Sequence, residues 1–275
     1  MKMEGEFGMM YTNNNKIYYT LRFAAAMCFI GHGTFGIITK QIWCNYFAVF
    51  GIGHDMAYTL MPVLGAVDIL FGLSILFYPT RAVLMWLAVW GLITATLRPM
   101  SGEPFAELIE RAGNFGVPIA LLLLCGIEQN IASWFRRLDP PAISRPDRKK
   151  RVRVFLQCVA FLLLTGHGLL NLMDKKGLLT EYSSLGFHDT HEAALLAGLI
   201  EVAMGIMVLI KPLRSVVFVF LVWKMASELF YPHWEMFEWI ERGGSYGALL
   251  ALWFSLGPKI VERSGSEFRS LHSVT

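Results

Sequence analysis

Charge is what this sequence is short of: Asp, Glu, Lys and Arg make up 16% of its 275 residues, where a soluble domain carries about a quarter. With 55% hydrophobic residues and a mean hydropathy of +0.49, that shortage excludes an ordinary soluble globule. Cysteine is sparse too. Cys28, Cys44, Cys125 and Cys158 are scattered without a CxxC spacing, and all but Cys44 fall in apolar segments, so neither a disulfide framework nor a zinc site is implied. Also missing is the apolar core of a signal peptide: the opening MKMEGEFGMMYTNNNKIYYT is polar, and the first hydrophobic segment is expected to be retained as a helix. The net charge of +3 is small, and nothing points to a nucleic-acid partner.

What the sequence has is hydrophobic length. About 20 apolar residues cross a bilayer as a helix, and eight segments come near that: 21–39, 57–78, 82–98, 109–127, 154–173, 192–210, 213–231 and 243–258. The expectation is an all-α integral membrane protein with eight transmembrane helices and the lipid bilayer as its first partner. Segments three and seven both end at an X-Pro, which kinks or stops a helix. Between segments four and five lies the one long polar run, residues 136–153, with eight Lys or Arg against two Asp. Short loops rich in Lys and Arg stay on the cytoplasmic side. Counting crossings from this linker puts both termini in the cytoplasm of a multi-pass protein of the cytoplasmic (inner) membrane, and Arg81, Lys211, Arg214, Lys259 and Arg263 fall in or after the remaining inner turns. The outer loops are then 40–56, 99–108, 174–191 and 232–242.

The two halves, 1–135 and 154–275, repeat each other. Gly31-His32-Gly33 returns as Gly166-His167-Gly168, and His54-Asp55 as His188-Asp189. At a shift of 133 positions Asp68 and Gly72 meet Glu201 and Gly205, Val89-Trp90 meets Val222-Trp223, and Pro99 meets Pro232. After a two-residue gap Glu107, Glu110-Arg111, Gly113 and Gly116 meet Glu238, Glu241-Arg242, Gly244 and Gly247. Four crossings per half make this a parallel repeat, expected as two tandem four-helix bundles.

Ionisable residues at bilayer depth face a protein interior or a wet cavity and are functional candidates by default. In the first half His32 and Asp68 are expected deep, with His54, Arg98, Glu110 and Arg111 above them toward the outer mouth. In the second, His167 and Glu201 are deep, with His188, His191, His233, Glu238, Glu241 and Arg242 above. Lys224 and Glu228 are extra charges four residues apart on one helix face, and Lys224 is also within reach of Glu201. Each group has a structural alternative: Gly-His-Gly as a close-packing point with a satisfied imidazole, and the Glu-Arg pairs as helix-start ion pairs. Glu107/Glu110 and Glu238/Glu241 have carboxylate-ligand spacing on one face, without the Glu-x-x-His of di-iron bundles. His188-x-x-His191-Glu192 has a metal-ligand spacing that the first half lacks. Haem ligation by His32 or His167 would need a second histidine at the same level, and neither half supplies one. The aromatic run 230–239 fits an interfacial belt or the wall of a pocket for a flat apolar ligand.

Residues 60–118, with Gly31-His32-Gly33, Gly65-x-x-Asp68-x-x-x-Gly72 and Arg98-Pro99 with Glu110-Arg111, resemble the DoxX-like group of four-helix membrane proteins, which includes the DoxD subunit of thiosulfate:quinone oxidoreductase. The resemblance implies one four-helix unit per half and, through DoxD, a link to quinones. The second half departs from the pattern, with Tyr231 for Arg98, Glu201 for Asp68 and Lys224 at the position of Gly91. The leading expectation is a quinone-linked redox or electron-transfer component with a redox partner subunit on the outer side. In it His32 and Asp68, with His167 and Glu201, relay protons through entrances at Glu110 and Glu241, since histidine is the side chain that exchanges protons near neutral pH. A small-solute or ion transporter, and a non-catalytic membrane subunit or assembly factor, are the alternatives.

Overall fold

The computed structural model describes residues 2–141, 146–229 and 236–257, with side chains from residue 13 onward except 146, 228 and 229. Within these the chain is all-helical. Four helices are long and apolar enough to cross a membrane: α3 (His54–Phe77), α4 (Arg81–Met100), α7 (Pro146–Leu172), apolar after Arg153, and α9 (Thr190–Ile210). The other elements are α1 (Lys2–Ile37), α2 (Trp43–Ala48), α5 (Ala106–Glu110), α6 (Ala112–Cys125), α8 (Lys176–Ser184), α10 (Arg214–Leu229), α11 (Met236–Glu241) and α12 (Gly243–Ser255).

The order long, short, long, long, short, medium is the same for α1–α6 and α7–α12, which is the repeat expressed as structure. Local sequence explains several boundaries. The Thr80 hydroxyl caps α4 by accepting from the Val83 N–H at 3.3 Å, and the Asp189 carboxylate caps α9 by accepting from Glu192 N–H at 2.9 Å, each satisfying an otherwise orphaned donor. Helix α4 stops at Met100, one residue past Pro99.

Three expectations change here. The polar opening stretch is helical and continues into α1. The basic linker becomes helical from Pro146, so its second half is the first two turns of α7. The fourth and eighth segments start with a helix break: α5 ends at Glu110 and α6 begins after Arg111, just as α11 ends at Glu241 and α12 begins after Arg242.

The halves are not two bundles set side by side. Helix α1 packs on α3 of its own half and on α11 and α12 of the other, while α7 packs on α9 and on α5 and α6. One apolar core joins them, with Leu21, Phe29, Leu84 and Leu121 of the first half and Leu156, Leu163, Phe220 and Leu249 of the second. Glycines make the approach possible. A β-carbon on Gly113 would stand 2.7 Å from the carbonyl carbon of Gly244, its own repeat counterpart, so α6 and α12 meet backbone to backbone on the pseudo-twofold axis. A β-carbon on Gly31 would overlap the backbone of Glu241, and one on Gly166 the backbone of Glu110.

Candidate functional site

The Gly-His-Gly motifs bring each histidine onto a carboxylate of the third helix of its own half. His32 Nδ1 lies 2.7 Å from Asp68 Oδ2, and His167 Nδ1 lies 2.7 Å from Glu201 Oε2. Both acids are buried. A carboxylate on Nδ1 fixes the ring and its tautomer, and neither Nε2 has a partner among the described residues. Gly33 and Gly36 on α1 and Gly65 on α3 let the two backbones touch, so the close-packing role of this motif coexists with the dyad.

The glutamates of the Glu-Arg pairs do not sit with the dyad of their own half. The Gly31 contact sets Glu241 at the level of His32, and the Gly166 contact sets Glu110 at the level of His167. Glu110 accepts from Arg111 at 2.8 Å and from Arg242 at 2.7 Å, and Lys224 Nζ stands 3.8 Å away. Each half therefore lends its glutamate to the other's site, while Arg98 and Arg111 of the first-half column stay in the cavity with His32. Two more ion pairs repeat the exchange: Lys40 to Glu238 at 2.5 Å and Lys175 to Glu107 at 2.6 Å. Sequence reading missed both lysines, although each stands eight positions after the histidine of its motif. Arg98 and Arg111 also converge on Glu107, at 3.3 and 2.6 Å. Burial alone would raise the Glu107 carboxyl, in the short helix α5; the charges of Arg111, Lys175 and Arg98 overcome that and hold it below the ordinary Glu value.

Above His32 opens a cavity of ≈440 Å³. Phe35, Trp43, Tyr46, Phe47, Phe50 and Trp90 give it aromatic walls, and Lys40, Arg98, Glu103, Arg111, Lys175, Glu238, Glu241 and Arg242 give it charge. The His32 ring lies 4.7 Å from Trp43, centroid to centroid. Tyr46 donates to Glu103 Oε1 at 2.6 Å, and burial, with that bond, keeps its phenol protonated far above neutrality. Trp90 has its indole N–H buried with no partner among the described residues. Its counterpart Trp223 donates to Glu201 Oε1 at 3.3 Å.

No family model, curated protein or solved structure matches this chain. Its chemistry is therefore read from the two copies of the site, which differ. Around His167 the space is taken by protein: Asn171 donates to Glu201 at 3.2 Å, Tyr182 donates to Asn171 at 2.8 Å, and Lys224 is 1% exposed. In the first half Gly36 and Gly91 stand where Asn171 and Lys224 stand.

The remaining candidates fall outside these clusters. His54, at the start of α3, and His188, in the turn before α9, are exposed away from the cavity and the dyads, and His191 pairs with Asp174 at 3.1 Å on the surface. Among the described residues no group of three or more His, Cys, Asp or Glu is placed to hold a metal ion. His233 and the Glu228 side chain lie outside the described residues.

Proposed function

We propose that this chain is an eight-helix inner-membrane protein of the DoxX-like kind, in which the first-repeat cavity binds a quinone headgroup and the His32–Asp68 dyad exchanges protons with it. The spans would be α1, α3, α4, α6, α7, α9, α10 and α12, with the basic 136–153 stretch on the cytoplasmic side and the cavity mouth on the outer side. The observation that carries the reading is the indole N–H of Trp90, buried with no partner among the described residues, on a ring in the wall of an aromatic cavity that has the His–Asp pair at its base. Flat aromatic walls suit a flat ring, and pockets of this volume and apolar lining with a few directed polar groups are the usual small-molecule sites. A buried donor left unmade costs about 1–3 kcal/mol, and a quinone carbonyl oxygen accepting from it removes that cost. Reduction of a quinone takes two electrons and two protons; the dyad serves the protons, and a redox partner subunit on the outer face would serve the electrons.

The test is titration of the protein in nanodiscs with a short-chain ubiquinone, read by quenching of tryptophan fluorescence. His32→Ala and Trp90→Phe are expected to weaken binding about tenfold each, the equivalent of ~1.4 kcal/mol for one lost hydrogen bond. Unchanged affinity in both variants overturns the reading.

A transporter remains the second reading because of one observation: the breaks at Arg111 and Arg242 leave α6 and α12 starting at the level of the histidines, as the half-helices of many transporters do at their substrate sites. Solute uptake into proteoliposomes under an imposed proton gradient, lost on Asp68→Asn, would favour it.

A further inference from the structure

At the other end of the bundle from the dyads, a cavity of ≈820 Å³ lies between the start of α7, the α9–α10 turn and the end of α12. Four cations line it, Lys149, Arg153, Lys211 and Arg214, with no Asp or Glu among the lining residues. Its walls include apolar Val152, Leu213 and Phe254.

The repeat shows what the site lacks. Arg81 opens α4 as Arg214 opens α10, at the same shift of 133 positions. Arg81 Nε donates to the Gly126 carbonyl at 2.8 Å, its Nη1 donates to the Ser133 carbonyl at 3.2 Å, and Glu128 lies 3.5 Å from its Nη2. Arg214 rests over the Trp253 ring at 4.1 Å, and its Nε is buried without a partner among the described residues. One copy of this arginine is thus answered by oxygens of the chain, and the other faces a cavity rich in cations. An orphaned guanidinium donor with clustered positive charge is the arrangement that binds a phosphate, through charge-assisted hydrogen bonds. Basic pockets between membrane helices at the level of the headgroups take acidic phospholipids.

We infer that this cavity is a binding site for the phosphate of an acidic phospholipid, with the Arg214 guanidinium as the anchoring group, Lys149, Arg153 and Lys211 as supporting charges, and the apolar wall meeting the start of the acyl chains. The inference is independent of the quinone site. Specific lipid binding here ties α7, α10 and α12 together where the second repeat meets the bilayer surface.

The experiment uses the full chain purified in a zwitterionic or neutral detergent and measures thermal stability and lipid adducts by native mass spectrometry, with added phosphatidylglycerol, phosphatidylcholine or inorganic phosphate. Phosphatidylglycerol is expected to raise the melting temperature and persist as a one-to-one adduct, and phosphatidylcholine to do neither. Lys211→Gln and Arg214→Gln are expected to weaken the adduct about tenfold, Arg214→Lys to restore part of it, and Arg136→Gln, an exposed cation elsewhere on the chain, to change nothing. Lys211 is exposed, so its variant keeps the test valid if Arg214→Gln fails to fold. Equal retention of the lipid by wild type and the Lys211 variant, or equal protection by inorganic phosphate, overturns the lipid assignment.

Discussion

Two histidines in this chain make the same 2.7 Å bond and have different neighbours. His167 is enclosed by Asn171, Tyr182 and Lys224, whereas His32 borders open space, and at positions 36 and 91 the first half has glycine where the second has Asn171 and Lys224. The glycines of the motifs are as decisive as the imidazoles. Gly31→Ala and Gly166→Ala would each push a methyl into the backbone of the opposite half and should destabilise by roughly 1–3 kcal/mol, the range for overpacking a core; thermal melts in detergent check this. At Glu107 three cations surround one carboxylate. Glu107→Gln should lower stability by about 3–5 kcal/mol, the range for breaking a buried ion cluster from one side. The same group predicts acid lability. Its folded carboxyl titrates below its unfolded value, so its stabilisation is complete above the ordinary Glu value of about 4.3 and is lost as the pH falls through the lower folded value. Wild type should therefore lose stability in that acid window, and Glu107→Gln should show a shallower loss over the same range.

At the scale of the elements, the defining feature is the pair of interrupted helices. Helix α6 has 14 residues and reaches ~21 Å at 1.5 Å per residue, short of a hydrocarbon core of about 30 Å. The break is where Glu110 turns toward the other half and meets Arg242. The Lys175–Glu107 and Lys40–Glu238 pairs fasten the short helices α5 and α11 to the loop that follows the other repeat's first helix. Glu107 is 1% exposed and Glu238 16%, so screening is weaker at the first pair. Double-mutant cycles with Met and Gln should find a coupling within the usual 0.5–3 kcal/mol for contacting residues, larger for Lys175–Glu107 than for Lys40–Glu238. Equal coupling would contradict the exchange as the dominant tie.

For the whole molecule, the interlocking of halves predicts how the chain assembles. Expressed alone, residues 1–141 would leave the faces of α1 and α6 that pack on α12 and α7 exposed, and residues 142–275 the matching faces. Neither half is expected to yield a monodisperse protein by itself, while the two co-expressed should co-purify as a one-to-one complex; a stable, isolated first half would refute this. How much of this was readable beforehand follows from what each observation depends on. Helical character, apolar length, the repeat and the two His–acid dyads depend on residue type and spacing along the chain, and these are properties of the sequence itself: Asp68 and Glu201 could be matched to His32 and His167 because each sits at a comparable depth on a neighbouring helix of the same half. Which half Glu110, Arg111, Glu241 and Arg242 serve depends on how α1 and α7 cross between halves. Linear spacing is blind to that, since the parallel repeat is satisfied equally by two separate bundles and by an interlocked pair. Only the tertiary structure decided between them, because the backbone contacts of Gly31 with Glu241, Gly166 with Glu110 and Gly113 with Gly244 are fixed by packing across the pseudo-twofold axis.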